Sequence, residues 1–231
     1  MKTVLKLFME APWSGRFGLL VIAIYIMLAV FAPVLTPFGE SEIVADAFEP
    51  WGGAYLLGTD NLGRDMFTRL IYGGRKNIGI AFLTTMLAFL VGGVLGFVAA
   101  AMGGWIDQLL GRLVDVMMAI PTLIFALLIL TITGTSIPVL IVVIALLDST
   151  RVFRLARAVA MNIVVMDYVE AARLRGEGLW WIITREVLPN AMPPLVAEFG
   201  LRFCFVFLFI SALSFLGLGI QPPTADWGSM V

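Results

Sequence analysis

The sequence predicts an all-α protein built as a polytopic transmembrane helical bundle, and three observations lead there. Hydrophobic residues fill 61% of the 231 positions and charged residues 13%, where soluble domains average about 45–50% and about 25%. The apolar residues gather in uncharged runs near the roughly 20 residues that a helix needs to cross about 30 Å of hydrocarbon. Lys and Arg are spread unevenly over the segments between those runs, the pattern of a chain with one cytoplasmic side.

Residues 1–16 form a tail and residues 17–35, FGLLVIAIYIMLAVFAPVL, the first span. This run is too long for the apolar core of a signal peptide, and no small-residue cleavage pattern follows, so it is a retained span. Residues 36–76 make an acidic external loop. The remaining core, 77–231, opens with a second span from about Ile78 to Met102, ended by Gly103-Gly104. The uncharged stretch between Asp115 and Asp148 would measure about 48 Å as one helix at about 1.5 Å per residue, too long for one crossing. TITGTSIP at 131–138 interrupts it with turn chemistry. It therefore divides into spans at about 112–132, kinked at Pro121, and about 137–155. A cytoplasmic loop covers about 156–190, and the last run, 203–221, extends backward through Arg202 and Glu198 to Pro194. No repeat or low-complexity tract is visible.

Orientation follows from the Lys and Arg residues of the loops. With the N-terminus inside, ten fall on the inner side: Lys2, Lys6, Arg16, Arg112, Arg151, Arg154, Arg157, Arg173, Arg175 and Arg185. Four fall outside: Arg64, Arg69, Arg75 and Lys76. Five spans then place Val231 outside, at the end of QPPTADWGSMV, a segment with the character of a loop.

Several function classes drop out. A net charge of −1 leaves no basic field for nucleic acid. The absence of histidine removes the imidazole base of nucleophilic triads and the commonest zinc ligand, so no metal site and no catalytic residue is expected. A serine protease using lysine instead would need one within a span, yet Lys2, Lys6 and Lys76 lie in the tail and the external loop. The single cysteine, Cys204, has no partner for a disulfide and is expected as a small buried hydrophobe. A secondary transporter or channel would carry charge near the bilayer midplane, whereas Asp115, Asp148 and Glu198 fall near the ends of the expected spans.

The internal loop is the most informative segment. In DYVEAARLRGEGLWWIITREVLPNAMPPL (167–195), Asp167 is expected to cap a short helix running through Arg175, with Glu170 in its first turn at the positive dipole end. Ala171 and Ala172 carry so little side chain that another surface can approach closely. Gly176 and Gly178 can turn the chain at positive φ. A second helix from Leu179 to about Val187 should end at Pro189.

The spacing Glu170-Ala171-Ala172, three residues, Gly176, twelve residues, Pro189, with Leu188 immediately before it, resembles the cytoplasmic signature loop of bacterial ABC importer permeases. The family usually has an aliphatic residue two before that Leu, where this chain has Glu186. The resemblance implies that Glu170, Ala171, Ala172, Gly176, Leu188 and Pro189 form a coupling loop docking into a groove of a cytoplasmic ATPase subunit.

The external string LLGTDNLGRDMFTRLIYGGRKN (56–77) lacks the Gly-Lys-Ser/Thr ending of a phosphate loop and the alternate oxygen ligands of a calcium loop. Read from its residues, it is an Asp/Asn/Gly turn leading into an amphipathic helix. It also resembles the external motif of the dipeptide/oligopeptide subclass of these permeases. The resemblance continues through GGWIDQLLGRLVDVMMAIPTL (103–123), RVFRLAR (151–157), VLPNAMPPL (187–195) and SFLGLGIQPPTADWGSM (214–230). It departs at Asp148-Ser149-Thr150, where the family often has an aromatic-proline turn. It implies a multi-pass subunit of the bacterial inner membrane, not an enzyme and without a cofactor of its own, with a sixth span expected but absent here. It further implies a homologous second permease, two ATP-binding subunits, an extracytoplasmic substrate-binding protein, and dipeptides, oligopeptides or similar small solutes such as nickel or glutathione as cargo.

Remaining features have packing explanations. Gly92 and Gly96 form a GxxxG step that lets a neighbouring helix approach. Asp115 is expected to pair with Arg112, and Glu198 with Arg202, one turn apart in the favourable order. Met117 and Met118 are expected to pack rather than to touch cargo.

Overall fold

The computed structural model describes residues 12–231, so Lys2, Lys6 and most of the expected tail lie outside the described residues. The described residues form two compact units, one comprising those from 12 through Ile78 together with Pro222–Val231, the other Gly79–Gln221. Helices and turns account for the architecture, and among the described residues β-pairing is confined to isolated bridges.

In the first unit, α1 (Trp13–Val30) starts after Pro12 and buries none of its residues against this chain, as suits a helix whose solvent is lipid. The first span was expected to run unbroken to residue 35, but it stops at Phe31 and a separate short helix, α2 (Ala32–Leu35), follows. Pro33 explains the stop: it lacks an N–H and its ring clashes with the preceding turn, so it is accommodated only in the first turn of a new helix. The external segment then folds without regular elements until α3 (Met66–Met102). This helix starts well before the expected span, in the external string, and ends at Gly103, whose φ of +62° suits glycine.

In the second unit, α4 (Gly104–Ala119) and α5 (Thr122–Thr133) replace the single kinked helix expected at 112–132. The two meet at 87°. Ile120 is extended, at φ −89° and ψ 130°, the conformation that a following proline imposes, so Pro121 makes a corner rather than a kink. α6 (Ile137–Val164) continues beyond the expected end at 155. α7 (Asp167–Leu174) and the single turn α8 (Leu179–Trp181) follow.

The chain does not break at Pro189 as expected. A π-helical stretch, Ile182–Val187, passes directly into α9 (Leu188–Phe215), where Pro189 sits in the first turn and Pro193 and Pro194 lie within the helix. The wider π turn lets Pro189 in, because its missing N–H group and its ring need room against the preceding turn. The Asn190 side-chain amide also donates to Glu186 O at 2.6 Å. At the other end, the expected run to 221 stops at Phe215. Gly217 takes φ +78°, the Gly217 and Leu218 N–H groups donate to Ser214 O and Leu213 O at 3.0 and 2.9 Å, and the apolar run turns back as a Schellman motif.

Among the described residues, three helical stretches are long and apolar enough to cross a membrane, α1, α3 and the continuous path Leu179–Phe215, and four if the bent pair α4–α5 counts as one. α6 is long enough but carries Asp148, Arg151, Arg154 and Arg157. The second unit has two apolar cores. One joins α5, α6 and α9 through Leu130, Leu140, Ile144, Ile210 and Leu213. The other joins Phe97 of α3, Ala156 and Ala160 of α6, Val169 of α7 and Val187 of the π stretch. The GxxxG step serves this packing: a Cβ on Gly96 would come within 2.8 Å of Phe153 O, and one on Gly92 would collide with Ser149 O. Cys204 is exposed on α9 rather than buried. It shares that face with Leu201 and Leu208, also exposed, because an apolar residue on a membrane helix need not point into its own subunit.

Candidate functional site

The residues of the expected coupling loop occupy α7, the turn after it and the start of α9. Met166 rather than Asp167 holds the capping position; Asp167 is the first helical residue and makes no side-chain cap bond, although Asp167 and Glu170 both fall in the first turn. Glu170 and Ala171 are exposed, whereas Ala172 is fully buried, so the two alanines do different things. Ala172 faces the core formed with Val169, Ile182, Ile183 and Val187. Ala171 lies on the free side, with Tyr168 and Leu174 three residues away on either side and Leu174 83% exposed. That gives α7 an outer face of one small and two apolar residues.

Gly176 ends the helix at φ +83° and is exposed; Gly178, expected to do likewise, has φ −73°. The loop is tied down at several points. The Gly176 N–H donates to Arg173 O at 2.9 Å, the Glu177 N–H to Ala172 O at 3.2 Å, and Arg173 Nη2 to Ala101 O at the end of α3 at 3.1 Å. The Arg175 guanidinium lies 5.8 Å from the centre of the Trp181 ring. Leu188 packs at the edge of the same core, and Pro189 is exposed. The six residues thus share one substructure, with Glu170, Ala171, Gly176 and Pro189 outward and Ala172 and Leu188 inward.

Between α4 and α6 stand two ion pairs. Asp115 pairs not with Arg112 but with Arg154 of α6, at 2.5 Å, and Asp107 pairs with Arg157. Both pairs border a cleft of about 300 Å³ that Gln108, Gly111 and Arg112 also line. The spacing of Asp107, Gly111 and Asp115, four apart, marks one helix face for the two carboxylates but does not name their partners. Glu198 pairs with Arg202 as expected, at 2.7 Å, but Asp148 joins them, 3.5 Å from Arg202. Because α6 ends later and α9 starts earlier than the expected spans, these three residues sit well inside their helices and not near the ends.

The external segment is organised by Asp60. One carboxylate oxygen accepts from the Leu62 and Arg64 N–H groups at 2.8 and 3.0 Å, and the other from Arg64 Nε at 2.7 Å, with Arg69 Nε 3.3 Å away. Burial would raise the Asp60 pKa, but the two backbone donors and the Arg64 guanidinium outweigh it and hold the carboxyl below its ordinary value. Thr59 bridges Asp46 O and the Glu49 N–H at 2.7 and 2.8 Å, and Asp65 Oδ2 accepts the Thr68 N–H at 2.8 Å to cap α3. Gly58 and Gly63, both at φ +75°, pass so close to Glu49 O and Ala45 O that a side chain would collide. Trp227, whose Nε1 donates to Leu70 O at 2.8 Å, lies against Gly73 and Gly74. The string is therefore a structural knot.

Residues 92–231 match the model of the family described as binding-protein-dependent transport system inner membrane component. A dipeptide transport system permease protein of Alkalihalophilus pseudofirmus is 34% identical, over 96% of this chain and 77% of the relative. A di/tripeptide transport system permease protein of Pseudomonas aeruginosa is 38% identical, over 93% and 73%. A glutathione transport system permease protein of Pectobacterium atrosepticum is 33% identical, over 94% and 72%.

Proposed function

This chain belongs to the family of binding-protein-dependent transport system inner membrane components, and from that premise we propose that it forms half of the translocation pore of an ATP-driven importer for dipeptides, oligopeptides or similar small solutes. It is a multi-pass protein of the bacterial inner membrane, a permease subunit of the peptide-transport type. The family implies a substrate-binding protein and an ATPase as partners. We assign the other half of the pore to a homologous permease and the drive to two ATP-binding subunits. Five crossings with the N-terminus inside fit the Lys/Arg distribution, counting α4–α5 as one bent crossing and α6 as another.

The observation that carries the coupling role is the outer face of α7. A rigid, short helix presents Glu170, Ala171 and the exposed Leu174, while Ala172 and Val169 lock it to α3, α6 and the π stretch. A push on this face has a stiff path into α9, because packed cores move as units rather than deform. The test is reconstitution of the chain with the second permease, the ATPases and the binding protein in vesicles. Uptake of dialanine should require ATP hydrolysis. Uptake that persists without ATP and follows an ion gradient would contradict the reading.

A further inference from the structure

The helix-buried carboxylate Asp148 has no role in the coupling loop. It is 7% exposed, and one of its oxygens faces Arg202 Nη1 at a loose 3.5 Å while the other has no hydrogen-bond partner among the described residues. Arg202 Nε and Nη1 make no well-aligned hydrogen bond either. Arg202 is held more closely elsewhere, 2.7 Å from Glu198 on its own helix, with its guanidinium 4.9 Å from the centre of the Phe205 ring. Two carboxylates thus share one buried guanidinium, and the second cation near Asp148, Arg151, lies on the wall of the adjoining cavity. Asp148 also lines a cavity of about 90 Å³ between α5, α6 and α9, with Thr122, Phe205 and Phe209 among its walls. Arg151 stands on the same wall but is exposed and turned to Thr122 Oγ1, 3.4 Å away.

Charge inside a membrane helix must be paired or face a cavity, and a buried acceptor left without a donor is costly. A compact cation with several N–H donors answers both demands. The cavity is large enough for an ammonium head and a few waters, not for a whole peptide, and its aromatic walls suit a cation. We infer that Asp148 is a station for the α-ammonium group of the peptide in transit, a cargo contact within the pore. This rests on the peptide-import reading above.

The complete importer in vesicles tests it, with dialanine as cargo and the permease either wild type or Asp148→Asn, which keeps the shape and removes the charge. Dialanine uptake per assembled complex should fall roughly tenfold, as loss of a charge-assisted bond implies, while ATP hydrolysis stimulated by the loaded binding protein stays close to wild type. n-Propylammonium chloride, which has the same head and no peptide bond, should inhibit wild-type uptake and leave the residual uptake of Asp148→Asn unchanged. Uptake in Asp148→Asn equal to wild type, equal loss of uptake and ATP hydrolysis, or propylammonium inhibition that ignores the substitution would each overturn the ammonium station and leave the permease reading intact. A wild-type complex that hydrolyses ATP without carrying dialanine would overturn both.

Discussion

Two adjacent alanines in α7 show why a residue's neighbours on the page are not its neighbours in space. Ala171 is exposed and Ala172 is fully buried, so bulk has different consequences at each. Ala172→Trp should overpack the core with Val169 and Val187, at a cost of about 1–3 kcal/mol or more, and lower the thermal stability of the purified subunit whether or not any partner is present. Ala171→Trp should leave that stability unchanged. Gly176→Val forces a β-branched residue to φ +83°, a strain of about 1–2 kcal/mol, and its melting temperature should drop while Gly178→Ala, at a negative φ, behaves as wild type. Which alanine faced inward was not legible in the sequence, because a helix of eight residues has too few turns for its apolar stripe to fix the phase. The exposure of Cys204 was illegible for a related reason: burial inside the subunit and contact with lipid both select apolar residues.

At the scale of elements, the closest helix contact was legible and its partner was not. Gly92 and Gly96 announced a close approach, and the structure supplies the backbone of Ser149 and Phe153 in α6. Gly96→Leu should push the two helices apart and reduce the amount of folded subunit in the membrane, read as faster proteolysis. The external knot makes a prediction with a definite pH sign. The Asp60 carboxyl is held below its ordinary value, so the stability it contributes is complete above the unfolded carboxylate range and is lost as pH falls through the lower, folded value. Asp60→Asn should remove that dependence and cost about 1.5–3 kcal/mol, the worth of a hydrogen bond to a charged group. Fluorescence of the tryptophans against pH in both proteins measures it. Helix ends were the least legible feature. Pro33 and Pro121 cut apolar runs that composition alone would join, whereas Pro189 failed to cut one because a π turn precedes it, and Pro193 and Pro194 lie within the helix that follows.

At the scale of the whole molecule, the all-α membrane class was legible because lipid demands uncharged runs of a known length, and the family was legible because an ordered series of motifs survives from residue 56 to residue 230. Charge partners were not, since Asp115–Arg154 and Asp107–Arg157 join residues 39 and 50 positions apart. Membrane sidedness rests on the Lys/Arg count. In a Cys204→Ser background, a cysteine at the exposed Trp51 should label from outside and one at Glu177 only from inside; labelling of both from one side would overturn the five-crossing arrangement. The most direct test of the coupling role compares Ala171→Trp with wild type in the reconstituted importer, after the purified subunits have been shown to be equally stable. Binding-protein-stimulated ATP hydrolysis and dialanine uptake should fall together, roughly tenfold or more for a docking face that loses over about 1.4 kcal/mol. Wild-type hydrolysis and uptake in the Ala171→Trp complex would contradict it and leave α7 as an inert interfacial helix.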